Sequence, residues 1–268
     1  MERFRDELTK LLKAEKPSKG LRIMEDTGVL SLFLPELLVC RGCIQGDFRG
    51  FHEFDVLDHL FYACDGAPRE KPAVRLAALF HDIGKPECKR VIKTPEGNQF
   101  TFYNHEAASE KIARSIMLRL KYSNAEIEQV AHLVKHHMFN YEPTWTDAAV
   151  RRFLVRVKAE NLEDLFDLRL ADIYGMHNAP VRGQDSPTIA LLNELSDRVK
   201  KETEKNCALS LKNLAVNGRD LMEAGIPAGK ELGKVLEELL ETVLDDPEQN
   251  TKEKLLLIAG NIYKRNMN

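Results

Sequence analysis

The sequence predicts an all-α protein carrying one small β-hairpin, and three observations predict it. Apolar residues recur at helical spacing through most of the chain. The breaks between those segments hold residues suited to capping helix N-termini. One stretch departs from the pattern, with two short β-prone runs on either side of a Pro/Gly turn. Hydrophobic residues make up 43% of the 268, which supports one large or two modest cores without covalent staples.

Taken in order, Phe4, Leu8, Leu11 and Leu12 share a face of the first helix. Val56, Leu57, Leu60 and Phe61 mark another, and Val74, Ala77, Ala78 and Leu79 a third. Arg90-Val-Ile-Lys, the turn Thr94-Pro-Glu-Gly-Asn and Gln99-Phe-Thr-Phe-Tyr form the hairpin, a small flap between helices. Helical patterning resumes over 106–120, 125–138, 147–157 and 162–174, with breaks at Ser123-Asn124 and Thr144-Trp-Thr. A polar stretch from Gly175 to Thr188 interrupts it, followed by a long charged helix over 189–205 and amphipathic helices over 231–244 and 251–263. These breaks divide the chain into an N-terminal helical segment (1–49), a central helical domain (50–175) and a C-terminal helical tail (176–268).

The longest apolar runs, such as Ser31 to Cys40, fall far short of the roughly 20 residues of a bilayer span, so no membrane partner is expected. Cys40, Cys43, Cys64, Cys88 and Cys207 are an odd number of scattered cysteines, and no charged-then-apolar signal segment opens the chain. They read as thiols in a reducing cytoplasm. A net charge of -3 neither demands nor excludes an anionic partner. The distribution is more informative: residues 1–24 carry seven Lys or Arg against four acids, 85–121 eight against four, and 231–253 two against eight. The first two stretches are where RNA or phosphate would bind, and the plain alternative is solvated helix faces.

His81-Asp82-Ile-Gly-Lys85 closes the apolar helix Arg75-Leu-Ala-Ala-Leu-Phe80, placing an imidazole beside a carboxylate at the end of a buried element. Such a pair needs a partner, and a divalent metal (Fe, Mn, Ni or Zn) relieves the cost of burying the charge. His59 and Asp172 lie among Leu60, Phe61, Leu170 and Ile173, so both point inward. His105 follows the flap, and His137 closes Leu133-Val-Lys-His-His. His136 or His137 supplies the ligand there, because neighbours on a helix point about 100° apart.

The order His59, His81-Asp82, His105, His137, Asp172 resembles the HD superfamily of metal-dependent phosphohydrolases. Arg3-Phe-Arg-Asp-Glu-Leu, Gly20-Leu-Arg-Ile-Met-Glu-Asp-Thr-Gly-Val-Leu and Leu34-Pro-Glu-Leu resemble the RNA-binding neck of bacterial tRNA nucleotidyltransferases (the CCA-adding and poly(A) polymerase family). His52-Glu-Phe-Asp-Val-Leu-Asp-His59, Leu214-Ala-Val-Asn-Gly-Arg-Asp-Leu-Met222 and Gly225-Ile-Pro continue the likeness over nearly the whole chain. The nucleotidyltransferase head is missing, with neither a Gly-Gly phosphate loop nor paired aspartates ahead of the neck, so no nucleotide addition by this chain alone is expected.

The resemblance implies one or two divalent ions. His59, His81, Asp82 and Asp172 hold the first; His105 and His137 bind a second or the substrate phosphate; Asp82 bridges. The metal activates water against phosphorus, and Lys85 neutralises a phosphate oxygen unless it is an exposed helix-terminal lysine. Asp55 either orients His59 or forms an ordinary exposed pair one turn away. Cys40-Arg-Gly-Cys43 has the spacing of half a zinc site or of a redox pair, but no second Cys pair or nearby Cys/His pair completes a zinc site. His132 and His177 read as structural or exposed, and His52 as lining the pocket mouth.

The expected function is therefore an HD phosphohydrolase, a phosphatase or 2′,3′-cyclic phosphodiesterase acting on a nucleotide, a phosphorylated small molecule or an RNA terminus. The alternatives are a non-catalytic tRNA- or RNA-binding module partnering a separate head, and a sensor that binds a signalling nucleotide without turning it over. Oligomeric state and metal identity stay open.

Overall fold

The computed structural model describes residues 1–46, 53–179, 186–205 and 210–267. The expectations for His52, Cys207 and a boundary at Gly50 lie outside the described residues. The chain forms two compact units, Met1–Asn140 with Glu160–Ser186, and Tyr141–Ala159 with Pro187–Asn268.

The first unit opens with α1 (Glu2–Leu12), α2 (Pro17–Asp26), α3 (Val29–Phe33) and α4 (Pro35–Leu38). Pro17 and Pro35 stand in first turns, where a missing N–H costs nothing. Leu8, Leu12, Leu21, Leu30, Leu34 and Leu37 are buried, and Phe4 stacks on Phe33 with centroids 4.1 Å apart. Then come α5 (Val56–Gly66) and α6 (Pro72–Phe80). From Val74 to Phe80 every residue of α6 is buried, as expected of a helix apolar all round. Its one charge, Arg75, donates to Leu12 O and Ala14 O, each at 2.5 Å, and so satisfies carbonyls left over at the end of α1.

A turn over 81–84 leads to α7 (Lys85–Cys88), then β1 (Arg90–Thr94) and β2 (Gly97–Thr101), antiparallel with Arg90 opposite Thr101 and Thr94 opposite Gly97. This is the hairpin the sequence predicts. α8 (His105–Arg119) and α9 (Asn124–His136) follow. At α9 the Ser123 hydroxyl accepts from the Glu126 N–H while Glu126 reaches back to the Ser123 N–H.

α10 (Asp147–Val157), capped by Thr146, belongs to the second unit, and α11 (Leu162–His177) returns to the first. α11 runs one turn past the break predicted at Gly175 and packs along α5. A Cβ at Gly175 would stand 2.7 Å from His59 O and 3.0 Å from Ala63 N. Glycine here permits a close approach of two helices rather than ending one.

The second unit adds α12 (Pro187–Glu204), α13 (Gly218–Glu223), α14 (Lys230–Asp245) and α15 (Lys252–Met267). Its core holds Leu214, Leu221, Val235, Leu239, Leu255 and Ile262. Arg151 and Glu202 form a buried ion pair, and Arg151 also donates to Leu244 O at 2.8 Å. Much of the acidic run over 231–253 is answered by ion pairs: Arg152 pairs with Glu241 and Asp245, Lys234 with Glu231, and Arg265 with Glu238. The same holds for the basic runs, where Arg22 pairs with Asp58, Arg119 with Glu36, and Arg114 with Glu110 and Glu128. No helix among the described residues is long and apolar enough to cross a membrane.

Candidate metal centre

Three short stretches of backbone converge in the first unit. His59 projects from the middle of α5, His81 stands at the end of α6 with Asp82 beside it, and Asp172 faces them from α11. All four are buried, and one ligand-type atom from each lies within 4.8 Å of the others. His59 Nε2 is 3.0 Å from His81 Nε2, and 3.3 Å from both Asp82 Oδ2 and Asp172 Oδ1. His81 Nε2 lies 3.3 Å from Asp82 Oδ2.

A second group shares Asp82. Its other oxygen, Oδ1, is 3.0 Å from His105 Nε2 and 3.6 Å from His137 Nε2, and the two rings are 3.3 Å apart at Nε2. The two oxygens of one carboxylate thus face two different histidine pairs. His137, not His136, enters the group; His136 is half-buried and lies against His132.

Backbone carbonyls set the tautomers. His81 Nδ1 is 2.9 Å from Ala78 O, His105 Nδ1 is 2.7 Å from Phe102 O, and His137 Nδ1 is 2.7 Å from Val134 O. A carbonyl only accepts, so each Nδ1 carries its proton and each neutral ring presents a lone pair at Nε2. His105 and His137 then aim lone pairs at each other across 3.3 Å. A cation between them, either a proton or a metal ion, relieves such a contact. Imidazole nitrogens turned this way, with Nδ1 anchored behind them, are the usual preparation of histidines for a metal.

The electrostatics agree. Burial opposes charge on His81, but Asp82 and Asp172 push its pKa up to about 10. Burial likewise penalises the Asp82 carboxylate, yet Lys85 and His81 hold its pKa well below the usual range. Asp172 is also held low against burial by His59 and His81, and burial pushes His137 down. Two carboxylates that stay ionised, and that hold on His81 Nε2 a proton which a divalent cation would replace, belong to a donor set that fits a divalent first-row ion.

Lys85 is neither exposed nor at a helix C-terminus. It is 7% exposed, and its Nζ lies 2.6 Å from Asp82 Oδ2 and donates to Gln45 Oε1 at 2.8 Å. Asp55 caps α5, accepting from the Asp58 N–H at 2.9 Å, the Gly42 N–H at 2.7 Å and Arg41, so its carboxylate is committed to the backbone and to Arg41. His177 pairs with Glu53 at the surface. Cys40 and Cys43 stand apart from both groups; the Cys40 thiol donates to Ile83 O at 3.7 Å, beneath the His-Asp turn.

Sequence reasoning missed Arg169 and Gln45. Arg169 Nη1 donates to Asp172 Oδ2 at 2.8 Å from one turn earlier on α11, a spacing that could have been read. Gln45 carried no local signal. Both line a cavity of about 640 Å³ that opens over Asp82, His105, His137 and Asp172.

Gly84 holds the His-Asp turn against α8. Its N–H donates to Ser109 Oγ at 2.9 Å, and a Cβ would lie 2.6 Å from the Ser109 backbone N and 2.9 Å from His105 O. Gly84→Ala is expected to push the turn away from α8, costing about 1–3 kcal/mol and displacing Asp82 from His105. A thermal melt lowered by roughly 2–12 °C, together with weakened metal retention, is the expected result. An unchanged melt would mean that the turn can move freely.

The family model for tRNA nucleotidyltransferase domain 2 matches residues 99–259, and the one described as "Probable RNA and SrmB- binding site of polymerase A" matches residues 1–40. The CC-adding tRNA nucleotidyltransferase of Thermus thermophilus is 33% identical over 245 residues, covering 90% of this chain and 52% of the relative. The A-adding tRNA nucleotidyltransferase of Deinococcus radiodurans is 33% identical over 247 residues, covering 90% and 54%. The Multifunctional CCA protein of Haemophilus influenzae is 27% identical over 202 residues, covering 70% and 46%. The chain spans about half the length of these curated relatives.

Proposed function

The chain belongs to the tRNA nucleotidyltransferase domain 2 family, and from that membership we propose that it is a metal-dependent HD phosphohydrolase acting on a phosphomonoester or 2′,3′-cyclic phosphodiester of a nucleotide or RNA terminus. The observation that carries this reading is Asp82, whose two oxygens face the His59–His81 pair and the His105–His137 pair separately.

In this reading His59, His81, Asp82 and Asp172 hold one divalent ion, and His105 and His137 with Asp82 hold a second or receive the substrate phosphate. A divalent ion supplies Lewis acidity toward phosphoryl oxygens and makes water a competent nucleophile near neutral pH. The protein's own contribution is to orient and neutralise. Carbonyls of Ala78, Phe102 and Val134 anchor three Nδ1 atoms and turn the Nε2 atoms inward, each free to offer a lone pair once its ring is neutral. Arg169 steadies Asp172. Lys85, held by Asp82 and Gln45 at the cavity wall, offers its ammonium to a phosphate oxygen.

The test is the metal content of the purified protein, measured together with its hydrolysis of a generic phosphomonoester and a 2′,3′-cyclic nucleotide, with and without added manganese or nickel. Bound metal with turnover supports the enzyme. The match of residues 1–40 to an RNA-binding site favours a second reading, a non-catalytic RNA-binding module serving a nucleotidyltransferase. A metal-free, inactive protein that still binds tRNA tightly would establish that instead.

A further inference from the structure

The flap brings an aromatic side chain to the cavity that the metal groups do not use. Gln99 to Tyr103 line the cavity from the end of the hairpin, alongside Met138. Two of these rings are occupied: Lys89 Nζ sits 4.1 Å from the Phe100 centroid, and Lys85 Nζ 5.4 Å from that of Phe102. Tyr103 is 77% exposed and has no ring, cation or hydrogen-bond partner among the described residues. Met138, on the same cavity, is 57% exposed. Large apolar side chains left open inside a cavity lined by charged groups are the usual means of holding the non-reacting part of a ligand.

The position of Tyr103 is constrained. It stands two residues before His105, so their Cα atoms are at most about 7 Å apart. The intervening Asn104 has a left-handed backbone, φ 64°, a conformation few non-glycine residues adopt. His105 in turn is anchored through Nδ1 to Phe102 O. Tyr103 is therefore tethered two residues from His105 on the wall of the same cavity, whose volume of about 640 Å³ suits a nucleotide.

We infer that Tyr103 is a specificity-determining residue: its ring packs against the nucleobase of a nucleoside phosphate whose phosphate lies at the metal groups. This rests on the phosphohydrolase reading for its kinetic form, and on geometry alone for its binding form. Stacking a base on an aromatic side chain is sequence-tolerant, so the site discriminates nucleosides from aliphatic phosphates more sharply than one base from another.

The experiment compares adenosine 2′-monophosphate with glycerol 2-phosphate, which carries no ring, in wild type, Tyr103→Ala and Tyr103→Phe. In Tyr103→Ala the ratio of kcat/KM for the nucleotide over the glycerol ester is expected to fall roughly 5- to 150-fold, chiefly through KM for the nucleotide, and Tyr103→Phe is expected to restore it. An unchanged ratio overturns the inference. If wild type hydrolyses neither ester, the phosphohydrolase reading fails separately. Calorimetric binding of adenosine 2′-monophosphate then decides: a Kd raised by a similar factor in Tyr103→Ala and recovered in Tyr103→Phe upholds the base platform, while an equal Kd or no binding overturns it.

Discussion

Asp82→Ala is expected to strip the protein of bound metal and lower phosphate hydrolysis by about 10³-fold or more, while the far-UV circular dichroism stays helical. Among the described residues Asp82 alone belongs to both groups of ligand-type atoms. Its loss removes an oxygen from each group at once and leaves four imidazoles without the carboxylate that faces them. Lys85 keeps Gln45 as a partner, and the apolar residues of α6 remain buried, so the helices have no reason to unfold. Asp82→Asn keeps the volume but removes the charge, and should lose metal nearly as completely. Elemental analysis and a phosphatase assay read both variants. Full activity in Asp82→Ala would overturn the metal-centred mechanism.

Arg151→Ala is expected to destabilise the second unit by about 1–3 kcal/mol, because it removes one of the two cations on the buried Glu202 carboxylate and leaves Lys205, 2.6 Å from the other oxygen, as its ionic partner. Arg151 is 5% exposed and Glu202 2%, and the guanidinium also donates to carbonyls of Leu244 and Asp245 at the end of α14. Removing it leaves one oxygen of Glu202 and the last carbonyls of a helix without this donor, while Lys205 still holds the other oxygen. A paired replacement, Arg151→Met with Glu202→Leu, is expected to recover most of the loss, because two apolar groups of similar volume avoid the desolvation of the ions. Chemical denaturation of the three variants checks this. Equal destabilisation by the single and the double replacement would mean that packing of the arginine stem, not its charge, is what the unit loses.

Much of the fold was legible because the information was local. The capping of α9 by Ser123 and Glu126, the Thr146 cap of α10 and the Thr94 to Asn98 turn each lie within a few residues of the structure they set. So do the apolar stripes of α1, α5 and α6. Where a local sign pointed the wrong way, a distant contact explains it. Gly175 reads as a helix break, yet stays helical because α5 presses close enough to exclude any side chain. The charge runs read as possible binding faces, and several of their members are paired with residues 30 or more positions away, as Arg119 is with Glu36 and Arg22 with Asp58.

The sequence by itself determined the helical class, the hairpin and the order His59, His81-Asp82, His105, His136 or His137, and Asp172, since composition, period and order are properties of the chain. Only the tertiary structure decided that His137 rather than His136 joins the group, that Asp82 divides its oxygens between two histidine pairs, and that Lys85 is buried against Gln45. It also placed Tyr103 and Arg169 on one cavity and set Tyr141–Ala159 in a unit with Pro187–Asn268. These depend on which distant segments pack together, and on rotations of about 100° between neighbouring helical positions. Periodicity along the chain fixes the face a residue occupies on its own helix, but not which side chain from another helix will meet it there.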